Sequence, residues 1–139
     1  METGRGTLVR QIMVEGVITC RADTTLQEVA ALLDDAEISA LVVVDDRGVA
    51  VGVISQMDVI KYYGQDIRSK RARDVLAERE MKEMVVSVAP GDHVEKAVRL
   101  MLDKDIHRVF ILDEAGRPAG VVSAGDVIRD MRGISRVGE

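Results

Sequence analysis

The chain has 139 residues, 47% of them hydrophobic and 31% charged, as in an ordinary soluble globular protein rather than a disordered or fibrous one. A formal charge of −5 and an aromatic content of 2% argue against binding to a nucleic-acid backbone or stacking on its bases. The single cysteine, Cys20, excludes an intrachain disulfide.

The N-terminal residues 1–11 are polar and lack the apolar segment of a secretory signal. The apolar runs 41–44 and 49–54 are far shorter than the roughly 20 residues that a membrane helix needs. We therefore expect a cytoplasmic protein without a membrane partner. His93 and His107 stand fourteen positions apart with no neighbouring cysteine, so no metal site is expected.

The sequence contains an internal duplication, because residues 12–63 align without a gap on residues 80–131 when 68 is added to each number. Identities run along the whole alignment and include Met13/Met81, Glu15/Glu83, Val17/Val85, Leu32/Leu100, Asp35/Asp103, Gly48/Gly116, Gly52/Gly120, Ser55/Ser123 and Asp58/Asp126. We predict two repeats, residues 8–63 and 80–133, joined by a charged linker over residues 64–79. Cys20 aligns with Val88 and is interpreted as a small buried hydrophobe.

Each repeat is predicted to form a strand, a helix, two strands and a second helix. The first helix begins after Thr25, whose hydroxyl caps it while Glu28 reaches back. Its apolar face comprises Leu26, Val29, Ala30 and Leu33. In the second repeat, Asp92 and Glu95 are predicted to make the corresponding capping pair. The apolar face there comprises Val94, Ala97, Val98 and Met101.

The centre of each repeat is predicted to be a hairpin of buried strands. Residues 41–44 and 109–112 are short runs rich in β-branched residues, typical of strands buried on both faces. The turns at 45–48 and 113–116 combine acidic residues with a glycine, as hairpin turns do. A second strand follows in each repeat, and a short helix begins at its end.

The linker carries charges of both signs and is predicted to be solvent-exposed, with one helical turn near residues 73–76. Alternatively, its basic residues form an edge that reaches the phosphates of a ligand. A repeat of about 55 residues buries too little surface to be stable alone. We therefore predict a mixed α/β (α+β) fold of two β-α-β-β-α repeats. The repeats are predicted to pack sheet to sheet with pseudo-two-fold symmetry and to leave clefts between them.

The most informative repeated feature is a Gly-x-x-Ser-x-x-Asp motif, which ends at Asp58 in the first repeat and at Asp126 in the second. Ser and Asp at this spacing form a helix cap, so one isolated copy needs no ligand to explain it. An ionised carboxylate, however, also accepts hydrogen bonds from the two adjacent hydroxyls of a ribose, and the adjoining helix N-terminus suits a phosphate. Both interpretations stay open.

The duplicated motif, closing a strand–strand–helix unit, resembles that of the tandem cystathionine β-synthase (CBS) domain pair, or Bateman module, over about residues 12–131. The resemblance implies a stand-alone CBS pair that binds AMP, ADP or ATP in the clefts between repeats, ahead of S-adenosylmethionine or NAD. The resemblance implies that the motifs contact the ribose and phosphate of the ligand. It also implies that the segment before the first helix of each repeat contacts the adenine. The corresponding residues are Ser55, Asp58, Ser123 and Asp126 for the motifs, and Thr19 and Ser87 for the segments.

His107 and Arg108 precede the central strand of the second repeat, as in CBS pairs that bind phosphorylated adenosine. Arg108 offers a planar fork for phosphate oxygens. Alternatively, His107 caps a helix end and Arg108 extends into solvent. The first repeat has Ser39 and Ala40 instead, so the two clefts are expected to differ. Family clefts take parts from both repeats, and we assign the His-Arg pair to the cleft whose ribose carboxylate is Asp58.

Lys61 and Arg129 lie one turn after the two motif aspartates. They are interpreted as exposed helix cations that can also add positive charge for a ligand.

We expect a regulatory module that senses an adenine nucleotide and signals to an unidentified protein partner through its conformation. The alternative is a ligand-free structural module that dimerises through its helices. A homodimer is expected in both cases, with Ile60, Tyr63, Ile128 and Met131 buried in the contact. The sequence shows no nucleophile–base motif, phosphate-binding glycine loop or metal constellation, so we do not expect an enzyme.

Overall fold

The computed structural model describes residues 6–78 and 85–133. They divide into two compact units. The central unit comprises residues 18–78 and 85, and the terminal unit comprises residues 6–17 and 86–133. The predicted end of the linker at residue 79 and the predicted start of the second repeat at residues 80–84, including Met81 and Glu83, lie outside the described residues.

Both units combine one sheet with short helices. In chain order the elements are α1 (Val9–Ile12), β1 (Val14–Glu15), β2 (Thr19–Arg21), α2 (Leu26–Asp35), β3 (Ala40–Val44), β4 (Ala50–Ser55), α3 (Gln56–Ile60), α4 (Ala72–Ala77), β5 (Ser87–Val88), α5 (Val94–Lys104), β6 (Arg108–Leu112), β7 (Pro118–Ser123) and α6 (Ala124–Arg132). The predicted order of strand, helix, strand, strand and helix is confirmed in both repeats. No helix of the described residues has the length and apolar character needed to cross a membrane.

In the central unit, β2 pairs in parallel with β3, and β3 pairs antiparallel with β4. The predicted start of α2 is confirmed, because Thr25 Oγ1 accepts a hydrogen bond from the Glu28 N–H at 3.1 Å and the Glu28 carboxylate accepts one from the Thr25 N–H at 3.0 Å. In the β3–β4 turn, the Asp45 carboxylate accepts from the Val49 N–H at 3.0 Å, which lowers the pKa of Asp45. Gly48 completes this turn at a φ of 83°.

The core of the central unit lies between its sheet and its helices, and β3 is buried along its whole length as predicted. Cys20 is the buried hydrophobe that the alignment indicated. Its burial raises the pKa of the thiol to about 11. The segment between the repeats also takes part, because Ala72 and Val75 of α4 are buried there. The cluster comprises Cys20, Leu26, Val29, Leu33, Leu41, Val43, Ile54, Tyr62, Ala72 and Val75.

In the terminal unit, the strand order is β1-β7-β6-β5. β1 is antiparallel to β7, with Val14 opposite Val121, so a segment that precedes the strand β2 of the first repeat completes the sheet of the second. The core lies between this sheet and helices α1 and α5, and comprises Val9, Ile12, Val88, Val94, Ala97, Met101, Val109, Ile111 and Val122.

The predicted capping pair of Asp92 and Glu95 is wrong. The N-cap of α5 is His93, which makes no side-chain cap. The Asp92 carboxylate instead accepts a hydrogen bond from the Ala89 N–H at 2.8 Å, which lowers its pKa, and it pairs with Lys96 at 3.3 Å. The carboxylate therefore stabilises the loop before the helix rather than the first helical turn.

Candidate functional site

The two Gly-x-x-Ser-x-x-Asp motifs occupy the same place in their units. Ser55 ends β4 and is the N-cap of α3, while Ser123 ends β7 and is the N-cap of α6. Asp58 and Asp126 therefore lie in the first turn of a helix that follows directly on a sheet strand.

The capping interpretation of the motif is confirmed in both units. Ser55 Oγ accepts a hydrogen bond from the Asp58 N–H at 3.2 Å, and Asp58 Oδ2 accepts from the Ser55 N–H at 2.8 Å and from the Ser55 hydroxyl at 3.1 Å. The corresponding distances between Ser123 and Asp126 are 3.2, 2.9 and 3.0 Å. In both units the oxygen that accepts from the serine is Oδ2 of the aspartate.

The two aspartates differ in their burial and in their contacts. Asp58 is half-buried, whereas Asp126 is only 4% exposed. Asp126 Oδ1 also accepts a hydrogen bond from Arg129 Nη2 at 2.7 Å. Arg129 is therefore not the exposed cation that the sequence indicated, since it neutralises the buried carboxylate of its own helix.

Arg108 lies directly opposite Ser123 in the register of β6 and β7. Directly opposite residues of an antiparallel pair have Cβ atoms about 4.5–5.5 Å apart, so Arg108 neighbours the motif serine of its own unit. Burial lowers the pKa of the Arg108 guanidinium, which nevertheless stays cationic. Ala40 takes the place of Arg108 opposite Ser55, so the sheet of the central unit offers no cation at this position.

His107 is exposed, and its carbonyl accepts a hydrogen bond from the Ala124 N–H at 2.9 Å. The C-cap of the preceding helix α5 is Asp105, so the alternative in which His107 caps that helix is not observed. The side chain of His107 is thus available at the surface next to Arg108.

Thr19 and Ser87 share a sheet face with the motif serine of their unit. Thr19 pairs with Val42 and Ser87 pairs with Phe110. Because alternate residues of a strand point to the same side, Ser87 lies on the face of Arg108 and Ser123, and Thr19 lies on the face of Ala40 and Ser55. Each unit therefore brings these strand residues to one face of its sheet, opposite the face that carries its helix-covered core.

Within residues 6–78 and 85–133, no group of three or more His, Cys, Asp or Glu side chains is arranged to hold a metal ion. The ligand chemistry that the described side chains offer is that of hydroxyls, carboxylates and one half-buried arginine on a sheet face. Such a set can bind a polar organic anion.

The fold and the duplicated, capped motif define a protein of two tandem repeats, each with one sheet and two flanking helices. A sequence profile of the CBS domain matches residues 9–65 and 72–133, so the chain belongs to the CBS domain family. An uncharacterised protein of Methanopyrus kandleri is 31% identical over 126 residues, which are 90% of this chain and 63% of that protein. The inosine-5′-monophosphate dehydrogenase of Mycobacterium leprae is 32% identical over 117 residues, or 84% of this chain. This chain spans only 21% of the length of the dehydrogenase.

Solved structures of CBS pairs share the fold. The CBS domain pair of protein MJ0100, in complex with 5′-methylthioadenosine and S-adenosyl-L-methionine, has a TM-score of 0.76 and 27% identity, and the match covers 91% of this chain and 97% of that one. The protein CBSX2 in complex with AMP has a TM-score of 0.78 and 23% identity, with coverages of 92% and 98%. The predicted mixed α/β class of two CBS repeats is thereby confirmed.

Proposed function

We propose that the chain is a regulatory module that binds an adenine nucleotide and signals its occupancy to a protein partner through its conformation. The observation that carries this proposal is the repeated Ser–Asp pair at the end of a sheet strand, next to a sheet face that holds Arg108 in one unit. CBS pairs of the same fold have been solved with AMP and with S-adenosyl-L-methionine, which supports an adenine ligand.

The proposed roles follow from the chemistry of each group. Asp58 accepts hydrogen bonds from the ribose hydroxyls, and the motif serines, whose hydroxyls cap their helices, contact the ribose or phosphate of the ligand. Arg108 and His107 bind the phosphate oxygens, and the Arg108 guanidinium does so as a bidentate hydrogen-bond donor. The segments that hold Thr19 and Ser87 contact adenine. The preferred ligands are AMP, ADP and ATP, ahead of S-adenosylmethionine and NAD, and the site carries out no catalysis.

The proposal predicts stabilisation by ligand. AMP at a hundredfold excess over its Kd is expected to stabilise the fold by about 2.7 kcal/mol, which thermal unfolding detects as a higher Tm. Asp58→Ala is expected to remove the shift due to nucleotide at that site, because the ribose then loses its acceptor. Asp34→Ala, which removes the same charge from an exposed position on α2, serves as the control and is expected to keep the shift.

Arg108→Ala separates the phosphate contact from the adenosine contact. We expect it to weaken AMP binding strongly and adenosine binding little. A wild-type Tm unchanged by millimolar AMP, ATP and S-adenosylmethionine would contradict the proposed function.

A second candidate function, a structural dimerisation module, is favoured by exposed apolar side chains on α3 and α6 and in the turn after α3. Ile60, Tyr63, Ile128 and Met131 are exposed by 58%, 95%, 56% and 77%, respectively. In the terminal unit a groove of about 590 Å³ also runs between α5 and α6. Exposed apolar side chains of α6, including Met131 beside this groove, are typical of an interaction site.

Dimerisation is tested by size-exclusion chromatography with light scattering. We expect the wild type to be a dimer and Ile128→Asp to shift it towards the monomer. Burial of the unpaired aspartate charge in an apolar contact is strongly unfavourable. Val51→Asp is the matched control, since Val51 is 50% exposed but lies on β4 rather than on a helix. A monomeric wild type contradicts this candidate, and a dimer that binds no adenine ligand favours it over the nucleotide sensor.

A further inference from the structure

We propose that Arg129 closes the second motif, so that each chain binds one nucleotide ribose, at Asp58, and none at Asp126. This inference rests on the proposed adenine-nucleotide function. It assigns different tasks to two motifs that are identical in their Gly, Ser and Asp positions.

Both oxygens of the Asp126 carboxylate are engaged. Oδ2 carries the helix cap to Ser123, and Oδ1 accepts from Arg129 Nη2 at 2.7 Å. The side chain is only 3% exposed. A ribose diol donates two hydrogen bonds to the carboxylate that holds it, so it has to displace the Arg129 guanidinium before it reaches Asp126.

The ion pair with Asp126 holds the Arg129 guanidinium in a position where one of its nitrogen atoms makes no hydrogen bond. The Arg129 side chain is 36% exposed as a whole, yet its Nε atom is buried and has no hydrogen-bond partner among the described residues. A buried donor without a partner is unfavourable. Neutralisation of a carboxylate that is itself buried offsets this cost, because an unpaired buried charge is more unfavourable still.

The first repeat differs at the aligned position. Lys61 stands where the second repeat has Arg129, and it is exposed. α3 ends at Ile60, so Lys61 lies past the last helical residue, whereas Arg129 lies inside the longer α6. The Asp58 carboxylate is half-buried rather than nine-tenths buried, so solvent and ligand reach it more readily than Asp126.

The closure is tested without any nucleotide by carboxyl labelling. Native protein is treated with a carbodiimide and glycine ethyl ester, and the modified residues are located by mass spectrometry. We expect modification at Asp58 and protection of Asp126. Arg129→Lys, which places the residue of the first repeat in the second, is expected to expose Asp126 to the reagent, whereas the control Arg132→Lys on the same helix is not. Equal labelling of both aspartates in the wild type would overturn the proposal.

The stoichiometry is tested by isothermal titration of the full chain with AMP. We expect one site per chain in the wild type, one in Arg132→Lys and two in Arg129→Lys. Asp58→Asn is expected to lose the site and Asp126→Asn to keep it. Two equivalent sites in the wild type, or loss of binding in Asp126→Asn alone, contradict the inference. Absence of AMP binding in every protein contradicts the proposed function, while the labelling pattern still decides whether Arg129 closes Asp126.

Discussion

Asp126→Ala is expected to lower the free energy of unfolding by about 3 kcal/mol, the low end of the cost of removing one partner from a buried ion pair. The substitution removes the cap of α6 and leaves Arg129 without its counter-charge. The low end applies because Arg129 is partly exposed and can turn towards water. Asp58→Ala removes a cap of the same geometry, and we expect a loss of only about 1 kcal/mol.

Urea unfolding of the two variants measures this difference directly. A double-mutant cycle with Arg129→Ala then isolates the ion pair, since residues in direct contact are expected to be non-additive. Equal destabilisation by Asp58→Ala and Asp126→Ala, or additive effects in the cycle, would show that Arg129 contributes nothing to the stability of the second motif.

Gly120→Ala is the second substitution expected to have a large effect. A Cβ at this position would lie 2.7 Å from Met13 Sδ and 2.9 Å from the backbone oxygen of Val14. The backbone oxygen cannot rotate away, so β1 has to shift from its pairing with β7. We expect a loss of about 1–3 kcal/mol, the usual cost of overpacking.

Gly52→Ala in the first repeat is the matched comparison. Its Cβ would lie 2.8 Å from Cδ1 and Cδ2 of Leu76, which are the far end of a flexible side chain. A rotation of Leu76 relieves this contact, and we expect a smaller loss of stability in urea unfolding. The explanation fails if Gly52→Ala destabilises the protein as much as Gly120→Ala does.

Much of the fold could be predicted from the sequence because its signals are local. The cap of α2 depends on Thr25 and Glu28, three residues apart, and the burial of β3 follows from its run of β-branched residues. The same logic was wrong at Asp92, because α5 has its N-cap one residue later, at His93, and the Asp92 carboxylate accepts from the Ala89 N–H in the preceding loop. The pairing of Val14 with Val121 joins residues that are far apart in sequence, and no local pattern indicates it.

The candidate site was likewise predicted where its signals are local in the sequence and missed where they are not. The duplicated spacing located Ser55, Asp58, Ser123 and Asp126, and it predicted the caps that the structure contains. The closure of Asp126 by Arg129 was not predicted, although an Asp and an Arg three residues apart on a helix are neighbours. Whether such a pair forms depends on how deeply the carboxylate is buried, and burial is a property of the folded chain.

The terminal unit is assembled from two stretches that the whole central unit separates along the chain. During synthesis on a ribosome, every strand of the central sheet emerges before β5, whereas β1 must wait for β7, about a hundred residues later. A fragment that starts at β5 lacks β1 and leaves the edge of β7 open to other chains. The early segment around Val14 thus covers the edge of β7, the last strand among the described residues.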